Sequence, residues 1–128
     1  MEDNLEKAVA IAKELERREA TNRLSAYKPY DYQKKFHNAK AQQRLLMAGN
    51  RVGKSFSGAM EIAYHATGKY PTWWDGKRFN KPIRAWVGGV SNETTRDVCQ
   101  KELVGQPDDP SAHGTGSIPL NDIGNTVR

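Results

Sequence analysis

The sequence has one cysteine and no long apolar run, and both shortages exclude whole classes of protein. Cys99 is the single cysteine among 128 residues, so neither an intramolecular disulfide nor a cysteine-based metal cluster can form. The apolar runs extend over only a few residues, far short of the roughly 20 that a membrane-spanning helix needs. The first residues do not resemble a signal peptide. We therefore expect a protein of the reducing cytosol with no membrane partner.

Acidic residues are fewer than basic ones. The chain has 20 lysines and arginines against 15 aspartates and glutamates, which gives a formal net charge of +5. This excess suits a polyanionic partner such as DNA. It is also moderate and dispersed, so an ordinary basic protein would have a similar composition. The length suits one small domain with a modest core.

One stretch, which we call the phosphate loop, carries most of the recognisable chemistry. It follows the pattern G-x-x-x-x-G-K-[ST], except that alanine stands at the first glycine. In such a loop, backbone N–H groups and a helix N-terminus point at nucleotide phosphates. Lys54 can reach the β- and γ-phosphates, and the Ser55 hydroxyl can hold Mg²⁺. The residues predicted to bind ATP through this loop are Ala48, Gly49, Asn50, Arg51, Val52, Gly53, Lys54 and Ser55.

The residues around the phosphate loop predict its structural context. The run from Gln43 to Met47 resembles a buried strand, and apolar residues recur at helical spacing from Phe56 until Gly68. Residues 82–90 resemble a second strand, and Ser91 or Asn92 is a candidate N-cap for the helix that follows. This alternation predicts an α/β fold: a P-loop NTPase-type parallel sheet flanked by helices, incomplete in this chain.

The remaining segments set the predicted domain boundaries. Residues 1–27 are expected to form a charged N-terminal helix, over residues 3–20, and a linker. The apolar stripe of this helix favours packing on its own domain or on a partner helix. Residues 28–104 are expected to be the N-terminal part of the ATPase domain, and residues 105–128 a loop-rich or disordered segment.

Two features upstream and downstream of the loop allow alternative interpretations. The amide of Gln33 can donate to and accept from an adenine edge, although a surface helix residue is an equally good interpretation. Residues 65–79, which we call the aromatic loop, combine tryptophans with basic residues. This composition suits nucleic-acid stacking, but we favour a hydrophobic lid over the sheet edge, with its basic groups in solvent.

Several motifs together resemble the large terminase subunit of tailed bacteriophages. They comprise residues 49–55, 64–71, 73–74, 87–93 and 114–119. The resemblance implies an ATPase motor that translocates double-stranded DNA into a procapsid. It also implies a portal protein and a small terminase subunit as partners, and a homo-oligomeric ring. The location implied is the host-cell cytoplasm, transiently at the procapsid portal.

The resemblance also assigns roles to individual residues. Lys54 and Arg51 match catalytic residues, with Arg51 sensing or stabilising the γ-phosphate. Ser55 matches the Mg²⁺ ligand, and Gln33 matches the glutamine that reads adenine.

The family's acidic strand and nuclease carboxylates have no match after Ser55. The chain is therefore expected to correspond to about the first quarter of a terminase and to be inactive alone. The alternatives are a DNA- or protein-binding module with a vestigial loop, or a fragment of another P-loop ATPase such as a helicase.

Overall fold

The computed structural model describes residues 1–49 and 53–124, and all regular secondary structure within them is helical. The elements are, in order, α1 (Glu2–Ala20), α2 (Asp31–Asn38), α3 (Lys54–Thr67), α4 (Asn92–Thr94), a π-helical stretch (Thr95–Gln100), α5 (Lys101–Val104) and two 3₁₀ turns (Pro110–Ala112 and Leu120–Asp122). None of the described helices is long and apolar enough to span a membrane.

The predicted parallel sheet is wrong for the described residues, which contain no β-strand. Residues 44–49 and 82–89 have no regular structure where strands were expected. Their large apolar side chains lie in solvent: Leu45 and Met47 are each 82% exposed, and Trp86 is 97% exposed. A strand exists only when a second backbone pairs with it, and a two-stranded pair is marginal in water. The two runs are apolar in composition, but the prediction that they form paired strands is wrong.

The predicted N-terminal helix is confirmed, but it does not pack on the rest of the described chain, and its packing on a partner helix stays a prediction. No residue of α1 is buried by the described chain, and the stripe residues Leu5, Ile11 and Leu15 are each more than half exposed. The helix carries ion pairs along its own surface, among them Glu14 with both Arg17 and Arg18. Such pairs and favourable helix propensities support α1 locally.

The hydrophobic core forms between α3, the chain before α2, and the aromatic loop. Met60 and Ala63 of α3 are fully buried, and Tyr64, Leu24 and Trp74 are nearly so. Trp74 is 3% exposed and Trp73 packs partly buried against the core, so the two rings do not form an open stacking surface. The predicted lid over a sheet edge is wrong in one respect, because the described residues contain no sheet.

Local helix signals in the sequence are confirmed. Gly68 ends α3 in the left-handed conformation, with φ of 71°. Its N–H group donates to the Tyr64 carbonyl, as expected for a glycine that stops a helix. Ser91 is the N-cap of α4, and its hydroxyl accepts a hydrogen bond from the Thr94 N–H at 3.1 Å.

Residues 105–124 contact the linker between α1 and α2. The Leu120 N–H donates to the Thr21 carbonyl at 3.0 Å. Arg23 donates to the Thr115 carbonyl at 3.1 Å, and Lys69 forms an ion pair with Asp122 at 2.6 Å. The first two contacts connect the C-terminal part of the described chain to the linker that follows α1, and the third connects it to the chain that follows α3.

Candidate functional site

The N-terminus of α3 is the structural centre of the candidate site. Gly53 precedes the helix in the left-handed conformation, with φ of 85°. No side chain of the described residues caps this end, and the first turn contains no acidic residue. The first N–H groups of a helix have no partner within it, and the helix dipole makes this end positive. The end of α3 is therefore suited to an anion such as a phosphate group.

The structure brings two predicted loop residues into contact. Lys54 folds back so that its Nζ donates to the Ala48 carbonyl at 2.8 Å. This contact draws the chain before the loop toward the start of α3. Ser55, the predicted Mg²⁺ ligand, is exposed at the same end of the helix, and Gly49 is exposed on the approach to it. The other predicted loop residues, Asn50, Arg51 and Val52, lie outside the described residues.

Gln33 contacts the loop but uses its amide within the protein. Its Oε1 accepts a hydrogen bond from the Tyr30 N–H at 2.8 Å, and its Nε2 donates to the Gly53 carbonyl at 3.3 Å. The residue is only 3% exposed. In this conformation Gln33 caps the start of α2 and ties it to the phosphate loop. Its proposed adenine contact stays a prediction.

A cleft beside Gly53, which we call the tyrosine cleft, is lined largely by aromatic residues. Its volume is about 590 Å³, and its lining comprises Tyr27, Lys28, Tyr30, Tyr32, Gln33, Gly53 and Phe56. The rings of Tyr30 and Tyr32 are stacked, with centroids 6.4 Å apart and planes 12° apart. The Tyr32 hydroxyl is buried and has no hydrogen-bond partner among the described residues. This cleft offers flat apolar faces and one free polar group next to the loop.

A buried carboxylate on α3 forms the centre of a second group of residues, which we call the Glu61 cluster. Glu61 Oε2 is 2.5 Å from His37 Nδ1, and Oε1 is 2.9 Å from His65 Nε2. Arg44 donates to Oε1 at 2.5 Å. The cluster therefore consists of Glu61, His37, His65 and Arg44, and it joins α3 to α2 and to the chain entering the loop.

The electrostatics of the cluster favour an ionised carboxylate. Burial alone raises the pKa of Glu61, but hydrogen bonds from His37, His65 and Arg44 outweigh it and lower the pKa to about 2. Beside the cluster, burial raises the pKa of Tyr27 to about 12. The neutral Tyr27 hydroxyl lies 2.9 Å from His37 Nε2. A charged, fully bonded carboxylate thus lies inside the core.

Sequence reasoning missed the Glu61 cluster. One signal was present: Glu61 and His65 are four residues apart on a predicted helix, so their side chains are neighbours. The contacts with His37 and Arg44 join distant parts of the chain and left no pattern. Within the described ranges, no group of three or more histidine, cysteine or acidic side chains is arranged to hold a metal.

Together these features define a helical unit organised around the start of α3, where a phosphate-loop sequence meets an uncapped helix end. Over 117 aligned residues the chain is 40% identical to the "Terminase, large subunit" of Salmonella phage P22. The match covers 80% of this chain and 23% of that protein. No family model matches the sequence, and no solved structure matches the fold. The similarity confirms the resemblance indicated by the motifs: the chain is a relative of phage terminase large subunits.

Proposed function

We propose that this chain binds ATP at the start of α3 and belongs to the ATPase motor of a phage DNA-packaging terminase. The observation that carries the proposal is the geometry of that helix end. It has a left-handed glycine, no side-chain cap from the described residues, no first-turn acid, and a lysine folded across the chain that enters the loop. A polyphosphate would replace the Ala48 carbonyl as the partner of the Lys54 ammonium.

The tyrosine cleft suits the base of the same nucleotide. It adjoins Gly53, so a ligand with phosphates at α3 and a base at Tyr30 and Tyr32 would be continuous. Aromatic faces stack on any base, and the unpaired Tyr32 hydroxyl can hydrogen-bond to a base edge. Gln33 would need to release Tyr30 or Gly53 before its amide could read adenine.

The predicted Mg²⁺ fits the site through one residue. The Ser55 hydroxyl is exposed at the helix start, and a single protein ligand together with phosphate oxygens is a common arrangement for Mg²⁺. The ion would neutralise charge on the phosphates. Lys54 would bind the β- and γ-phosphates, and Arg51 is proposed to act on the γ-phosphate.

The whole-protein role is an inference from relationship. The chain spans about a quarter of the P22 relative's length. We infer that it works within a longer polypeptide that hydrolyses ATP and moves double-stranded DNA into a procapsid. The portal, the small terminase subunit and further copies of the same chain would be its partners there. The family relationship supports this role over a vestigial loop or a helicase fragment.

Nucleotide binding is the property to test first. The chain is titrated with a fluorescent ATP analogue in the presence of Mg²⁺, alongside Lys54→Ala. We expect saturable binding by the wild type and at least tenfold weaker binding by the variant. Lys13→Ala, which removes an exposed lysine from α1, is the matched control and should bind as the wild type does. Absence of binding by the folded wild type, or equal binding by Lys54→Ala, would contradict the proposal.

A further inference from the structure

Three separate segments of the chain meet at one carboxylate on the phosphate-loop helix. Glu61 lies two turns after Lys54 on α3 and is 6% exposed. His37 reaches it from α2, Arg44 from the chain before the loop, and His65 from the next turn of α3. His65, which the structure places within α3, contacts the hydroxyl of Tyr70 in the part of the aromatic loop that follows the helix, at 2.8 Å. These contacts connect α3 to α2, to the chain before the phosphate loop and to the aromatic loop.

Arg44 is the member of the cluster that lies on the chain entering the loop. It begins the entry segment, residues 44–49, which has no regular structure of its own. One guanidinium nitrogen donates to Glu61, and another donates to the Phe36 carbonyl at 2.9 Å. The guanidinium also lies 4.9 Å from the centre of the Phe36 ring. The planar fork of arginine therefore fixes this end of the entry segment in both position and orientation.

At the other end of the entry segment, one hydrogen bond between described residues links the segment to α3. Lys54 Nζ donates to the Ala48 carbonyl, and in the proposed function this ammonium moves to the phosphates of the nucleotide. When it does, the ion pair between Arg44 and Glu61 still joins the entry segment to α3.

We propose that Glu61 is a positioning residue that, through Arg44, holds the entry segment of the phosphate loop in the geometry that binds nucleotide. This inference rests on the proposed function. The charge of the carboxylate matters because Arg44 is only partly exposed, with 23% of its side chain accessible, and an unpaired cation there would move toward water. An uncharged side chain with the shape of Glu61 would therefore not hold the Arg44 guanidinium in place.

The test measures the position of the entry segment directly. Cys99 is replaced by serine, and spin labels are attached at Met47→Cys on the entry segment and Ala66→Cys at the far end of α3, both exposed positions. Pulsed electron resonance then gives the distribution of distances between them. We expect Glu61→Gln to widen this distribution at least twofold, because it keeps the side-chain shape and removes the charge. Arg44→Gln should have the same effect, and Arg44→Lys an intermediate one.

Asp122→Asn is the matched control. It removes an ion pair of similar length, that with Lys69, on a different part of the fold, and should leave the distance distribution unchanged. An unchanged distribution in Glu61→Gln, or equal widening in Asp122→Asn, would overturn the inference. If Glu61→Gln fails to fold, the two Arg44 variants decide the matter, since they remove the same contact from its more exposed side.

Nucleotide affinity separates this inference from the proposed function. With the same ATP analogue, Glu61→Gln and Arg44→Gln should bind at least fivefold more weakly, and Asp122→Asn as the wild type. If the wild type binds no nucleotide, the proposed function fails, while the distance measurement still decides whether Glu61 positions the segment. If the distribution widens and affinity is unchanged, the link to nucleotide binding is refuted.

Discussion

Lowering the pH from 5 to 3 is expected to destabilise the chain through one buried carboxyl group, that of Glu61. Its pKa falls from an ordinary value of 4.5 to about 2 in the folded state. Between these values the unfolded chain binds more protons than the folded chain, so stability falls as the pH falls. The contribution is fully present above pH 4.5 and disappears as the pH approaches 2.

The size of the effect follows from linkage. With these two pKa values, the Glu61 carboxyl group contributes roughly 2 kcal/mol less to the free energy of unfolding at pH 3 than at pH 5. Arg44 is partly exposed, and water screens its interaction with the carboxylate. We therefore expect a loss of about 1–2 kcal/mol from this group.

Urea unfolding at several pH values measures this loss. Trp74 is a suitable fluorescent reporter because its ring centroid lies 5.3 Å from that of His37 and 5.5 Å from that of His65. The wild type should lose about 1–2 kcal/mol more than Glu61→Gln between pH 5 and pH 3. Glu93→Gln, which removes an exposed carboxylate from α4, should follow the wild type. Parallel curves for the wild type and Glu61→Gln would refute the reasoning.

Further predictions concern the helices and the core. Gly68→Ala should destabilise the chain by about 1 kcal/mol, because alanine is strained at a φ of 71°. Gly58 lies in the interior of α3, with open space where a Cβ would be, so Gly58→Ala should instead stabilise the chain by about 0.5–1 kcal/mol. Urea unfolding that ranks the two in reverse would contradict this. Met60→Ala should lower the free energy of unfolding by about 2–5 kcal/mol, because it opens a cavity at a fully buried site. Ile11→Ala, on exposed α1, should change the thermal midpoint little. Equal shifts in the two variants would show that Met60 does not lie in the core. Ser91→Ala should lower stability by about 1 kcal/mol through loss of the cap, and unchanged helicity by circular dichroism together with unchanged stability would argue against that cap.

The helices were predictable because their signals are local. Capping by Ser91 and termination at Gly68 depend on residues within one turn, and the apolar spacing of α3 marks its buried face. The strands were not predictable in the same way. The apolar character of residues 82–90 says nothing about whether another backbone lies alongside, and in the described chain none pairs with them.

The candidate site was predictable in part for the same reason. Lys54 and Ser55 belong to a contiguous motif, and the structure places them at a helix start as the motif requires. The tyrosine cleft joins residues 27–33 to Gly53 and Phe56, and the Glu61 cluster joins residues from three segments of the chain. His37 and Glu61 are 24 positions apart, and only the packing of α2 against α3 brings them together. A single sequence contains no periodicity that reports such a pair.

The hydrogen bond between Leu120 and Thr21 has a consequence for the order of folding. It joins residues about 100 positions apart, and closing a flexible loop of that length costs roughly 4 kcal/mol of chain entropy. The contacts of α3 with the aromatic loop close much shorter loops, so we expect the core to form first and the return of residues 114–122 to come last. Leu120→Pro, which removes the donating backbone N–H, should then speed unfolding and leave the folding rate nearly unchanged. During synthesis, the core would be assembled before the residue that closes the loop has left the ribosome.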